Sequence, residues 1–244
     1  MTPRIAIIGA IKDEIAGIKK EMQIADTLRW KTGNAFIGRW QGVEIVLVRS
    51  GMGARRARRA LAEVAERFEL KRVYSIGYAG ALDPALKVGD VVAADRVIHA
   101  ATGDALPLDA GFASDIPGIS RGALLTVDEV AATPQAKQFL HEQHGAAAVD
   151  METYALAEEA RGRGLHLVSV RAITDTADQE LIDCSHLVAE DGDVSKLKAG
   201  WHVLTHPGDL KGMIDLGKHA QQATAALTDC MRLGLTDESK PQED

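Results

Sequence analysis

Short apolar runs rich in β-branched residues alternate along the chain with stretches whose apolar residues recur every three to four positions, which predicts strands alternating with helices. Ile5 to Ile8 reads as a buried strand stopped by Gly9, with a helix from about Ala10 to Met22 behind it. Trp30 to Lys31, Ala35 to Trp40 and Val43 to Val48 read as a meander turning at Thr32-Gly33-Asn34 and Gln41-Gly42. Ser50-Gly51-Met52-Gly53 feeds a helix from Ala54 to about Phe68, and Arg72 to Ile76 makes the next strand, with Gly77 to Ala81 as a small-residue loop beyond it. Gly89 to Ile98 is a strand, Ala100 to Ser120 a polar surface excursion, Ala123 to Val127 a strand, Pro134 to His144 a helix and Ala146 to Val149 a strand. A helix over Asp150 to Arg163, broken at Gly162 and Gly164, leads to His166 to Ile173, whose nearly unbroken apolar character suits a strand buried on both faces. Helices follow near Val194 to His202 and Leu216 to Leu233. The whole reads as one domain over residues 1–235 and a polar, frayed tail over 236–244.

Two carboxylates in this pattern stand where a core would not choose them. Glu152 falls in line with Ala155, Leu156 and Ala160 on the apolar side of its predicted helix, where an uncompensated charge is costly. It is either an acid favoured by the helix N-terminus, together with Asp150, or a residue held by a partner or ligand. Asp175 follows the strand His166 to Ile173 directly after Thr174. Ligands of open α/β sheets gather beyond the carboxyl ends of strands, although an Asp there also serves as a turn or helix cap. Glu14 lies early in the first helix with the same two readings. The turn at Gly9 and the loop Ser50, Gly51, Met52, Gly53 could present backbone N–H groups to an anion, but match no established nucleotide fingerprint.

The chain has 244 residues, 46% hydrophobic, with a net charge of −7. That balance, with no long basic run, argues against nucleic acid or an anionic membrane as main partner. Arg55, Arg56, Arg58 and Arg59 form the local exception, read as the solvated face of a helix or an oligomer contact. Cys184 and Cys230 are too few for a disulfide framework and lack metal-ligand spacing, which suggests a reducing cytoplasm. No stretch approaches the roughly twenty apolar residues of a membrane span. His99, His186 and His206 are scattered, and no zinc spacing, nucleophile elbow or phosphate-cradling lysine motif occurs, so neither a metal nor another cofactor is expected.

Five segments then fall in one order: IIGAIKDE (Ile7 to Glu14), SGMG (Ser50 to Gly53), GYAGAL with KVGDVV (Gly77 to Leu82, Lys87 to Val92), VDMET (Val149 to Thr153) and RAITDTAD (Arg171 to Asp178). Their order and spacing resemble the nucleoside phosphorylase superfamily, most closely its methylthioadenosine/S-adenosylhomocysteine nucleosidase branch. The ALDPALKVGD segment is also similar to the hopanoid-associated phosphorylase-like members. The resemblance spans about Ile5 to Asp178 and is weaker over the last quarter. It implies a three-layer α/β/α sandwich around a mixed, partly barrel-like sheet, homo-oligomerisation, and cleavage of the N-ribosidic bond of a purine nucleoside or 5′-substituted adenosine.

The same resemblance assigns roles. Asp175 matches the acid beside the purine, Glu152 the carboxylate gripping the ribose hydroxyls, Met151 the side chain under the sugar, and Glu14 the residue that activates water. Tyr78, Ala79, Gly80, Val130 and Thr174 fall at the substrate-binding positions. Bond cleavage leaves positive charge on the sugar and negative charge on the purine, so an acid must serve the base while the ribose is held. Glu152 is expected to stay ionised as the hydroxyl acceptor. Two positions depart from the pattern: Tyr78 replaces a small hydroxyl residue and Val130 an aromatic that stacks on the base. Hydrolysis is favoured by Glu14, and by Ser75 where the bacterial phosphorylases carry an arginine. Phosphorolysis would need Gly9, Ser50, Gly51 and Gly53 as donors, with Lys12 or Arg49 as the charge. A nucleoside-binding protein without turnover is the remaining alternative.

Overall fold

The computed structural model describes residues 4–31, 33–113, 116–181 and 210–238. In chain order these form β1 (Arg4–Gly9), α1 (Lys12–Glu21), β2 (Gln23–Trp30), β3 (Gly33–Trp40), β4 (Val43–Arg49), α2 (Ala54–Ala65), β5 (Leu70–Ala81), β6 (Val91–His99), β7 (Ala105–Pro107), β8 (Ile119–Thr126), α3 (Pro134–His144), β9 (Ala148–Asp150), α4 (Thr153–Gly162), β10 (Leu167–Asp175) and α5 (Leu210–Glu238). One mixed sheet runs β10-β6-β8-β9-β5-β1-β4-β3-β2, and β10 also pairs with β5. That extra pairing closes β10, β6, β8, β9 and β5 into a ring. The expected mixed, partly barrel-like sheet is thus present, with β1, β4, β3 and β2 as an open extension.

Apolar side chains fill both faces of the sheet. On one, α2 and α4 contribute Ala57, Ala60, Leu61 and Val64, and Leu156, Ala157 and Ala160. On the other, Ile15 and Ile18 of α1 meet Ala223, Leu227, Cys230 and Met231 of α5. Helix, sheet and helix therefore form three layers. Arg55, Arg58 and Arg59 lie on the exposed face of α2, where Arg58 pairs with Glu158 of α4 and Arg59 approaches Glu63 at 3.7 Å.

Several boundaries differ from the sequence pattern. β2 reaches back to Gln23, because an edge strand paired only with β3 stays mostly exposed and carries no apolar alternation to announce it. The segment Gly77 to Ala81, expected as a loop, continues β5 and pairs with β10 and β9. Asp150 ends β9 instead of opening a helix, and α4 starts only at Thr153. β10 extends through Thr174 and Asp175. The surface excursion contains β7, hydrogen-bonded to β6. The last helix is longer than expected at both ends, and takes in Thr236. The expected helix at Val194 to His202, the tail beyond Glu238, Cys184, His186 and His206 lie outside the described residues.

Candidate active site

β4, β1, β5 and β10 run parallel side by side, so Arg49, Gly9, Ala81 and Asp175 finish at one rim. β9 runs antiparallel to β5, with Val149 opposite Gly80, and this delivers Met151 and Glu152 to the same place. There the chain surrounds a cavity of about 220 Å³. Glu14, Tyr78, Ala79, Gly80 and Val130 line it, and so do Met151, Glu152, Thr174 and Asp175. The residues that the sequence marked as acting on or binding substrate therefore line one cavity. Gly9 and Ser50 border a second, smaller recess of about 10 Å³, together with Glu14, Ser75, Glu152 and Arg171.

The glycines of β5 explain how carboxyl groups approach a sheet so closely. A Cβ on Gly77 would come within 2.8 Å of Glu14 Oε1, and one on Gly80 within 2.8 Å of Asp175 Oδ2. Small residues here clear space for acids, which is why the segment looks like a loop while remaining a strand.

Glu14 is buried. Its Oε2 accepts the backbone N–H groups of Ala10 (2.6 Å) and Ile11 (3.0 Å), and its Oε1 that of Tyr78 (2.9 Å). Burial still outweighs these bonds and the nearby Arg171 charge, and raises its pKa above the ordinary 4.5. Glu152 is not on a helix face; it precedes α4 in a non-helical conformation, and its Oε1 accepts the N–H of Gly53 at 2.7 Å. Desolvation first, and then the Asp150 charge, push its pKa up to about 7. Both effects work against the ionised form expected of Glu152, and the Gly53 N–H favours it.

Two buried ion pairs complete the surroundings, and the sequence pattern flagged neither. Asp150 Oδ2 accepts from Arg171 Nε (3.1 Å) and Nη2 (2.9 Å), and from the Thr153 backbone N–H (3.1 Å). Its Oδ1 accepts from Thr126 Oγ1 at 2.7 Å. Arg171 spends its other donors on Ser75 O, Val170 O, Ser75 Oγ and Thr153 Oγ1. The second pair joins Asp175 Oδ2 to Lys137 Nζ at 2.6 Å. Asp175 Oδ1 accepts from Thr174 Oγ1 at 2.9 Å. Lys137 gave no signal because α3, PQAKQFLHEQH, has few apolar residues and leaves one of them, Phe139, exposed, so no apolar stripe marks its buried side.

The groups read as an anion cradle are already engaged. The N–H groups of Ser50 and Gly51 bond to Gly9 O and Ala10 O, both at 2.9 Å, while Ala10 and Ile11 donate to Glu14 and Gly53 donates to Glu152. Neither Lys12 nor Arg49 lines the cavity. The Tyr78 hydroxyl turns away towards α5, at 2.6 Å from Thr224 Oγ1 and 3.2 Å from Ala220 O. Val130 lines the cavity while 61% exposed. Among the described residues no group of His, Cys, Asp and Glu could hold a metal ion.

A cavity lined by carboxyl groups at the strand ends of a partly closed mixed sheet can offer both an acid and a base to a bound ligand, and comparison with known proteins gives the reaction class. A family model described as the phosphorylase superfamily matches residues 4–115 and 108–199. The 5′-methylthioadenosine/S-adenosylhomocysteine nucleosidase of Marinomonas sp. (strain MWYL1) is 30% identical over 201 residues, covering 72% of this chain and 87% of the relative. The corresponding nucleosidase of Geobacillus thermodenitrificans is 29% identical, covering 72% and 86%. In fold, the chain is similar to the Neisseria meningitidis nucleosidase crystallised with methylthio-immucillin-A, with a TM-score of 0.77, 21% identity, and coverage of 97% and 100%. The class is that of enzymes that cleave the N-ribosidic bond of a purine nucleoside or 5′-substituted adenosine derivative and release the base. The chain belongs to the phosphorylase superfamily.

Proposed function

We propose that the enzyme uses water as its nucleophile and acts on adenosines carrying an apolar 5′ substituent. One observation carries the choice of water: the backbone donors that could cradle a phosphate are bonded to Glu14 and Glu152 or within the Gly9 and Ser50 turns. A phosphate dianion needs cationic and N–H donors, and here it would meet carboxyl groups instead. The recess beside Glu14 has about the volume that one water needs.

In this reading Glu14, whose proton affinity is raised by burial, takes a proton from the attacking water. Glu152, in its ionised form, accepts the ribose hydroxyls, and Met151 packs under the sugar. Asp175 donates a proton to the departing purine. Thr174, Ala79 and Gly80 shape the base side, and Val130 offers an aliphatic contact where a ring would stack more strongly. Apolar residues of the cavity lining, Met52 among them, support an apolar 5′ group, in line with relatives named for 5′-methylthioadenosine.

Met52, 37% exposed, and Val130 leave apolar surface beside the cavity, which supports a homo-oligomer; light scattering after gel filtration measures it. Cys230, buried and unpaired, supports a cytoplasmic setting; none of the described helices is long and apolar enough to cross a membrane.

The deciding experiment incubates the enzyme in phosphate-free buffer with 5′-methylthioadenosine, adenosine and inosine, and resolves base and sugar products by chromatography. Free base with free sugar, fastest for the 5′-thio compound, is the expected result. Release only when phosphate is supplied, with a sugar 1-phosphate, overturns hydrolysis. A preference for adenosine or inosine overturns the 5′ assignment, and binding without any base release favours a protein that has lost turnover.

A further inference from the structure

Among the described residues Lys137 is the one lysine buried completely. Two positions along the same helix Phe139 is 57% exposed, so α3 buries an ammonium and leaves an aromatic ring in solvent. Taking such a charge out of water is costly, and an apolar side chain of similar length would fill the space without that cost. The three Nζ protons are all used: on Asp175 Oδ2 at 2.6 Å, Thr176 O at 2.8 Å and Gln179 O at 2.9 Å. The ammonium is thereby fixed behind the cavity wall, against the acid and the turn that follows it.

We infer that Lys137 is a positioning residue for the departure of the base: it dictates which oxygen of Asp175 carries the acid proton and stabilises the carboxylate left when that proton moves. The inference rests on the proposed role of Asp175 and deepens it. Oδ2 accepts from the ammonium, whose positive charge beside it disfavours a proton there, so the geometry favours Oδ1 as the seat of the proton in the acid form. Oδ1 can receive it because the Thr174 hydroxyl that donates to Oδ1 has Ala79 O as a second acceptor at 3.4 Å. As the glycosidic bond breaks, its electron pair goes to the purine and the Oδ1 proton passes to a ring nitrogen. Asp175 is left as a carboxylate against a pre-placed positive charge, and regains a proton from solvent after the base has left. A donor that meets charge as it develops acts on the transition state more than on the bound substrate.

The test is a cycle of Lys137→Met, Asp175→Asn and the double variant, using steady-state kinetics on the best substrate of the panel above and thermal melting of each protein. Lys137→Met is expected to lower kcat on the order of a hundred- to a thousandfold, with KM within about threefold. The double variant, which removes both charges and so leaves no buried ion unpaired, is expected to be no slower than Asp175→Asn alone to within about threefold, because the two residues act as one unit. A kcat for a folded Lys137→Met within about twofold of wild type overturns the inference. So does a double variant slowed by the product of the two single effects, which is what a merely structural role predicts. If Asp175→Asn itself keeps full turnover, the role of Asp175 fails, a result that the Lys137 measurements cannot imitate.

Discussion

Asp150–Arg171 and Lys137–Asp175 are both buried ion pairs with close contacts, yet they face different things. Arg171 is enclosed by Ser75, Val170, Thr153 and Asp150, and its side chain is 3% exposed. It joins the centre of β10 to the ends of β9 and β8, where Thr126 bonds to the same carboxylate. Lys137–Asp175 is as dry on the lysine side, and both aspartates border the cavity, but Asp150 spends both oxygens on Arg171, Thr126 and Thr153, whereas Asp175 turns Oδ1 to the Thr174 hydroxyl on the cavity side. A buried pair is weak evidence for stability, since apolar residues of like volume often serve as well. Where the pair sits therefore says more than how tight it is: one closes a seam between strands, and the other leaves a charged end for a ligand.

The comparison breaks most visibly at Arg171. Arg171→Met should strand the Asp150 carboxylate among Thr126, Thr153 and Glu152 and cost about 3–5 kcal/mol, much of a typical domain's stability. Chemical denaturation measures it, and a midpoint close to wild type would show that Arg171 does not hold the seam. Asp175→Asn should act mainly on the chemistry, lowering kcat by roughly a hundred- to ten-thousandfold, while its amide oxygen still accepts from Lys137 and softens the loss of the ammonium's counter-charge. Unchanged turnover with a lowered melting temperature would place both pairs in the same structural category.

A third substitution separates nucleophile from leaving group. Glu14→Gln should cut base release in phosphate-free buffer by about a hundredfold, and added phosphate should not restore it. Restoration would mean that phosphate reaches the sugar once the carboxylate has left Ala10 and Ile11.

The smallest expected effect concerns pH and stability. Glu152 titrates at about 7 when folded against an ordinary 4.5. Between those values the folded state holds more protons than the unfolded one, so stability should fall as pH rises from about 4.5 to about 7 and level off above. Glu14, shifted in the same direction, adds to the slope. Replacing Glu152 by Gln should flatten the curve by about 3 kcal/mol across that window. Melting temperatures at several pH values decide it, and an unchanged slope would mean that Glu152 is not desolvated in solution.

Most strands and helices announced themselves because burial on one or two faces imposes periodicity. β1, β4 and β10 lie close to where that pattern puts them. β2 did not, since a mostly exposed edge strand needs no apolar alternation. The cavity residues Glu14, Glu152 and Asp175 were legible from motif order and their place after strands, although Glu152 reached the site from a non-helical turn and not from a helix face.

The sequence by itself determined the alternation of elements, the small residues at Gly77 and Gly80, and the set of acids at the strand ends, because each follows from local pattern and motif spacing. Only the tertiary structure decided how those acids are compensated. Glu14 and Glu152 meet backbone N–H groups, Asp150 an arginine and Asp175 a lysine from a helix thirty-eight residues earlier. The partner of a buried charge comes from whichever chain segment folds against it, and a polar helix such as α3 shows no periodic mark of the one position that will be dehydrated. Lys137 therefore looked like any other solvated lysine until β10 and α3 were packed together.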